Sequence, residues 1–297
     1  MKKAGILSMQ RIYNYGSFLQ AYALKKMMEE CGAEVEFVDY HPGECILPSK
    51  ETTGMKRKIQ KGLEILRMKG RLRDKIQFVK YKKNYARKNY PVLGLKETYN
   101  YAPKLDLLVI GSDEVFNCIQ DNSNVGFAPE LFGAGHQADR LVSYAASFGN
   151  TTLESLKKYQ VDEQVAQWLR AFDAISVRDD NSRKIVQELT GKDPVCHLDP
   201  VLVYDYPANL PETKAKIPQD PYMILYGYSG RFNKEEAGEI RKYAKRKGLK
   251  ILCIGGIQSC GDKFIDCSPF EIFEYFKHAE SVVTDTFHGT IFSVVTQ

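Results

Sequence analysis

Short, near-continuous apolar runs alternate along this chain with stretches of helical periodicity, and no other feature of the sequence restricts the fold as much. AGILSM is followed by a helical pattern over residues 17–31, with Leu19, Tyr22, Ala23 and Met27 on one face. VEFVDY, LDLLVIG, RLVSYAASFG, DAISVR and PVCHLD come next, with helical patterns over 153–172 and 181–189 between the later ones. A strand of alternating polarity has one dry face. A strand that is apolar throughout is buried on both, as in a parallel sheet whose crossover helices cover both sides. Residues 204–221, YDYPANLPETKAKIPQDP, carry four prolines and no apolar period, so a linker is expected there. Beyond it the rhythm restarts with YMILYGY, a helix over 234–247, KILCIGG, a helix over 269–278, SVVTD and the opening of a last helix. The pattern predicts an α/β protein of two doubly wound Rossmann-like domains, 1–203 and 222–297. The second is expected to be truncated, because GTIFSVVTQ supplies barely two helical turns after its last strand. Apolar surface left open in that way predicts a homodimer that covers it.

Composition narrows the class. With 43% hydrophobic and 27% charged residues the chain is an ordinary globular one, not a disordered one. No apolar run approaches the roughly 20 residues of a membrane-spanning helix. The first apolar stretch is too short for a signal peptide and is interrupted by Gln10-Arg11. Seven cysteines without a CxxC pair predict reduced thiols in a cytoplasmic protein. The net charge of +5 is concentrated: between Met55 and Lys88 stand fourteen Lys or Arg against Glu64 and Asp74. Ile59, Leu63, Leu66, Leu72, Ile76 and Val79 recur there at helical spacing, so a basic helical insertion is expected over about 55–90. The plain account of such a segment is a solvated face. The sharper one is a surface for an anionic partner, such as a lipid-linked glycan acceptor at the inner face of a membrane. No nucleic acid is expected, since Tyr81, Tyr85 and Tyr90 stand without any nucleic-acid-binding motif.

In an open parallel sheet, ligands bind beyond the carboxyl ends of the strands, so candidate site residues are polar residues just after apolar runs. Asn14, Gly16 and Ser17 follow the first strand; Gly16 allows a tight turn and Ser17 can cap the helix while its amides face an anion. Gly111, Ser112 and Asp113 follow LDLLVI, where Asp113 either accepts a proton from a hydroxyl or, with Ser112, caps a following helix. Arg178 ends DAISVR and either clamps an anion or pairs with Asp179 and Asp180 next to it, the pair being slightly favoured. Asp199-Pro200 reads as a turn, with His197 a packed residue. Asp285, Thr286, His288, Gly289 and Thr290 surround the last strand-to-helix turn, where His288 can donate a proton and Gly289 keeps helix amides accessible. The series Cys253, Cys260 and Cys267 matches no zinc spacing, so no metal is expected, and no P-loop or GxGxxG stretch is present.

Taken in order, NYGSFLQAYAL, LLVIGSDEVFN, SYAASFG, ISVRDDNSRKIVQELTG, HLDPVLV and TDTFHGTIFSVV resemble the polysaccharide pyruvyl transferase family. The resemblance implies a two-domain fold similar to GT-B glycosyltransferases. It also implies phosphoenolpyruvate as co-substrate, a glycan or lipid-linked glycan as acceptor, and a pyruvyl ketal as product. His288 and Arg178 match the family's donor-contacting histidine and arginine. On that scheme His288 is the acid, Asp113 and Asp285 are the candidate proton acceptors, and no cofactor is needed. Two positions depart from the family's pattern: Thr286-Phe287-His288 stands where Arg-Leu-His is common, and Gly16-Ser17 where Gly-Asp is common. They leave two alternatives open, a glycosyltransferase with a nucleotide-sugar donor and a catalytically silent binding protein of a polysaccharide system.

Overall fold

The computed structural model describes residues 1–47 and 71–296, so residues 55–70 of the expected basic insertion lie outside the described residues. The chain divides into two compact units. Among the described residues, the first comprises 1–12, 17–47 and 90–204, and the second 13–16, 71–89 and 205–296. Both are doubly wound α/β structures with all-parallel sheets, as the alternation of apolar runs and helical patterns predicts.

The first unit holds a six-stranded sheet in the order β2-β1-β3-β4-β5-β6. Its strands are β1 (Lys2–Leu7), β2 (Ala33–Phe37), β3 (Lys104–Asp113), β4 (Gln137–Ala146), β5 (Ser176–Val177) and β6 (Val195–Cys196). β3 is the axis: Leu107 to Ile110 pair with β1 on one side and β4 on the other, which is why this run has no polar alternation. Below it lies one apolar cluster that includes Leu108, Ile110, Phe116, Phe132, Leu141, Phe148, Leu169 and Val186. The helix expected over 153–172 is two helices, α3 (Leu153–Lys158) and α4 (Asp162–Arg170). Gln160 at φ +56° turns the chain between them, a conformation no helix interior tolerates. α5 (Asp180–Thr190) follows β5.

The second unit holds a four-stranded sheet in the order β10-β7-β8-β9. Its strands are β7 (Tyr222–Tyr226), β8 (Lys250–Ile254), β9 (Lys263–Phe264) and β10 (Ser281–Thr284). β7 is buried along its whole length. α8 (Lys234–Lys247) starts at a capping box between Asn233 and Glu236 and ends at Gly248, as Asn-x-x-Glu and a terminal glycine dictate. α9 (Glu271–Lys277) and α10 (Phe287–Val295) bring Phe276 and Phe292 onto Tyr226, and Phe273 onto Phe292. Helix α2 (Leu72–Leu93) carries the described part of the basic insertion. Up to Asn89 it groups with this unit, because Phe78 and Tyr81 pack on Phe264, and Tyr81 and Tyr85 on Tyr15. The proline-rich stretch 204–221 is not all irregular: Asp205 caps a short helix, α7 (Tyr206–Asn209), after α6 (Pro200–Val203). Among the described residues no helix is long and apolar enough to cross a membrane.

Phe292 is fully buried and meets three aromatic rings of the second unit. Phe292→Ala is therefore expected to cost about 3–5 kcal/mol, read as a lower denaturant midpoint of the second unit; a loss under about 1 kcal/mol would mean that this core is not what holds α10.

Candidate functional site

In a doubly wound sheet the crevice opens where the strand order reverses. In the first sheet the chain leaves β1 for β2 on one side and returns to β3 on the other, so the reversal lies between the carboxyl ends of β1 and β3. There the Ser8 hydroxyl donates to the Ser112 carbonyl at 3.0 Å, and the Gln20 amide donates to the Ser8 hydroxyl at 2.9 Å. Asp113 ends β3 with φ +80°, after Gly111 at φ +116°. Its Oδ2 accepts from the Ser17 hydroxyl at 2.7 Å, and its Oδ1 accepts from the Glu114 amide at 2.9 Å and from Arg178 Nη2 at 3.4 Å. Arg178 also donates through Nη1 to Asp199 Oδ2 at 2.7 Å, and its side chain is only 5% exposed. Asp199 accepts in addition from the Ser112 hydroxyl at 3.3 Å and from the Val201 amide at 3.0 Å.

Three sequence expectations change here. Arg178 does not pair with Asp179 or Asp180 at the surface; it is buried between Asp113 and Asp199. Asp179 is taken up elsewhere, accepting from the Ser182 amide as the cap of α5 and from the Ser147 hydroxyl at 2.6 Å. Asp113 and Ser112 cap no helix, since none follows β3 directly. Ser17 is not a cap either: α1 (Tyr15–Glu30) begins two residues earlier, and the Ser17 hydroxyl is given to Asp113. His197 is packed, its Nδ1 2.8 Å from the Ser176 hydroxyl and its ring stacked on Tyr144. Taken formally, one guanidinium between the two carboxylates of Asp113 and Asp199 leaves these three side chains at about −1.

In the second sheet β10 returns on the far side of β7, so the reversal lies between the carboxyl ends of β7 and β10. Arg231, in the loop after β7, is paired through Nε with the Asp285 carboxylate just beyond β10, both groups being nearly half exposed. Thr286 caps α10: its Oγ1 accepts from the Gly289 amide at 3.0 Å and lies 2.9 Å from the Thr284 hydroxyl. The Thr290 hydroxyl donates to the Thr286 carbonyl at 3.3 Å. The expectation that Gly289 leaves its amide accessible to a ligand is therefore corrected, since the threonine cap takes it. His288 sits in the first turn of α10 and is 9% exposed, its ring between Phe287 and Phe292.

The stretch before α1 belongs to the same unit. Asn14 Oδ1 accepts from the Gly16 amide at 2.7 Å, and Asn14 Nδ2 donates to the Tyr228 hydroxyl at 2.7 Å. A β-carbon on Gly16 would overlap the ring of His288. Glycine is required there for close approach, not for φ. The structure thus brings together Asn14, Gly16, His288, Asp285, Thr286 and Arg231 in the second unit, and Ser17, Ser112, Asp113, Arg178 and Asp199 in the first. Arg231 has no mark in the sequence, standing in a polar loop, GYSGRFN, between a strand and a helix. Its cation stands in the loop next to the motif that lacks the family's usual arginine.

Cys253, Cys260 and Cys267 are buried, and burial pushes the Cys253 and Cys267 thiols up to about 12. Among the described residues no group of three His, Cys, Asp or Glu is placed to hold a metal. A largely apolar cavity of about 390 Å³ opens in the first unit between Leu7, Val38, Leu105, Leu108, Pro129 and Ala138, and none of the site residues above lines it.

Two outcomes follow from this geometry. Asp199→Ala leaves the buried Arg178 with Asp113 at 3.4 Å as its carboxylate partner, and is expected to cost about 3–5 kcal/mol in chemical denaturation. Gly16→Ala is expected to displace the His288 ring while α1 persists, visible as a shifted histidine resonance with an unchanged helical circular dichroism signal; an unmoved resonance would contradict the packing.

A search of curated proteins found no match. Among solved structures the chain is similar to an alpha-glucosyltransferase in complex with UDP and a 13-mer DNA containing an HMU base. The identity is 12% over 95% of this chain and 71% of that one, with a TM-score of 0.47. It is also similar to MurG of Acinetobacter baumannii, at 12% identity over 95% of this chain and 71% of that one, with a TM-score of 0.34. The family model for polysaccharide pyruvyl transferase matches residues 14–297, a span that begins at Asn14 and includes Asp113, Arg178, Asp199, Arg231 and His288. The chain belongs to the polysaccharide pyruvyl transferase family.

Proposed function

We propose that this protein transfers the pyruvyl group of phosphoenolpyruvate to a sugar of a polysaccharide or its precursor, closing a ketal across two hydroxyls. One observation carries the reading: a guanidinium, a helix amino end and a histidine stand together at the strand-order reversal of the second unit. Phosphoenolpyruvate has a carboxylate and a phosphate. Arg231 offers a half-exposed cation, and the amino end of α10 adds partial positive charge. Asp285 holds Arg231 in place and is a positioning residue in this scheme, no longer a candidate base.

The steps balance without another reactant. His288 as imidazolium gives its proton to the methylene carbon, which becomes a methyl group and leaves the central carbon electrophilic. A sugar hydroxyl bonds to that carbon and loses its proton. The carbon–oxygen bond to phosphate breaks, and a second hydroxyl takes the place of the departing phosphate, closing the ketal; its proton goes to the now neutral His288, and the first hydroxyl's proton leaves with the phosphate. Within the first unit Asp113 is the carboxylate whose orientation is fixed, by Ser17, the Glu114 amide and Arg178. Arg178 acts through Asp113 and Asp199; its own charge is already matched by theirs.

Calorimetric titration of phosphoenolpyruvate tests this. Arg231→Ala is expected to weaken binding by about 10- to 100-fold, the effect of losing one charge-assisted contact. His288→Gln is expected to keep donor binding and lose ketal formation, followed by phosphate release with a sugar acceptor. Failure of the folded protein to bind phosphoenolpyruvate, with clear binding of a nucleotide sugar, would replace this reading by the glycosyltransferase one. No binding of either donor would favour the silent binding protein.

A further inference from the structure

Helix α2 has one face that is fully used and one that is not. Asp74, Phe78, Tyr81, Tyr85 and Asn89 are buried. Asp74 accepts from the Phe264 amide at 3.1 Å, and the Tyr85 hydroxyl donates to the Asn14 carbonyl at 2.8 Å. On the opposite face Leu72, Ile76 and Val79 are 68%, 50% and 46% exposed, spaced i, i+4, i+7, so they form one apolar stripe. Arg73, Lys80 and Arg87 recur every seven residues along one edge of the stripe, and Lys83 continues its line; all four are exposed. Among the described residues none of these four is in an ion pair. Lys82, by contrast, turns back to the Tyr13 carbonyl, and Lys88 pairs with Asp266. The helix carries seven Lys or Arg against one acid, Asp74, which is buried.

The structure assigns this face of α2 to the surface of an anionic lipid bilayer. The charge complements acidic headgroups, and the apolar stripe selects among anionic partners. Leu72, Ile76 and Val79 have nothing to contact on a phosphate backbone, whereas at a bilayer they enter the acyl boundary while the flanking Arg and Lys stay at headgroup level. The buried face remains packed in the second unit, so the helix lies flat on the membrane plane without leaving the protein. The inference stands whether or not phosphoenolpyruvate is the donor, and it places the protein where a lipid-linked acceptor would be found.

Vesicle flotation tests it, with the full chain and vesicles of phosphatidylcholine alone or mixed with phosphatidylglycerol. The wild type is expected to float with the mixed vesicles and not with the neutral ones, and to be released as salt rises. Arg73→Gln, Lys80→Gln, Lys83→Gln and Arg87→Gln are each expected to lower partitioning by roughly fivefold. Ile76→Ser with Val79→Ser is expected to lower it further at unchanged charge, and an unchanged melting temperature confirms that these exposed substitutions leave the fold intact. No flotation of the wild type with mixed vesicles overturns the proposal. So does full flotation of the Ile76→Ser/Val79→Ser variant, since charge alone would then account for binding. Binding to a short DNA duplex as tight as to mixed vesicles would assign the face to nucleic acid instead.

Discussion

Every strand of both sheets runs the same way, and that single constraint decides where this protein can do chemistry. A parallel strand in the middle of a sheet is covered on both faces, so β7 is buried along its whole length and the central run of β3, Leu107 to Ile110, is apolar without interruption. Polar residues collect where the strands end. Because all strands are parallel, those ends share one edge of each sheet, and the reversal of strand order opens a crevice at one point along it. Ser112 and Asp113 stand at that point in the first unit, and Asp285 and Thr286 in the second. The residues are different and the placement is the same.

The two reversals differ in charge, and the difference separates their roles. In the first unit Arg178 is nearly inaccessible and already faces two carboxylates. Burying such a group is costly, and replacing buried ion clusters by apolar residues is often neutral or stabilising. Stability is therefore not what the triad contributes. Its effect is positional: it fixes Asp113 and Asp199 while Ser17 and Ser112 complete their hydrogen bonds. In the second unit the Arg231–Asp285 pair is half exposed, so an incoming anion can share the guanidinium without first opening a buried cluster. The helix amino end beside it favours the same sign of ligand.

The strands and most helices were legible because their signal is local: an apolar run, an N-cap three residues before a glutamate, a glycine after the last turn. β9 was not, because Lys263-Phe264 stands between Asp262 and Asp266 with no apolar run to mark it. The break in the 153–172 helix rested on the backbone of Gln160, a residue type with no preference for the left-handed region. The partner of Arg178 was hidden by a decoy, since Asp179 and Asp180 are adjacent in sequence while Asp113 and Asp199 reach it only through the register of four strands. Arg231 was hidden for the same kind of reason. Its meeting with Asp285 depends on β10 pairing with β7, a contact between residues more than fifty positions apart. Local patterns report elements; charge partners at strand ends are set by topology.

The interruption of the last apolar run by Thr284-Asp285-Thr286-Phe287-His288-Gly289 now has a physical account. Thr284 and Thr286 form the cap that starts α10, and the Gly289 amide closes it, so the turn is built from its own residues. That frees the position of His288 from any duty in capping. Its ring is set instead by Phe292 one turn later and by the missing β-carbon at Gly16, one contact from the same helix and one from the far end of the sequence. A histidine that merely filled space would need neither a glycine held open against it nor a self-sufficient cap beneath it. The combination gives a ring with little freedom beside a helix amino end, and the proposed proton delivery to a bound donor rests on that placement.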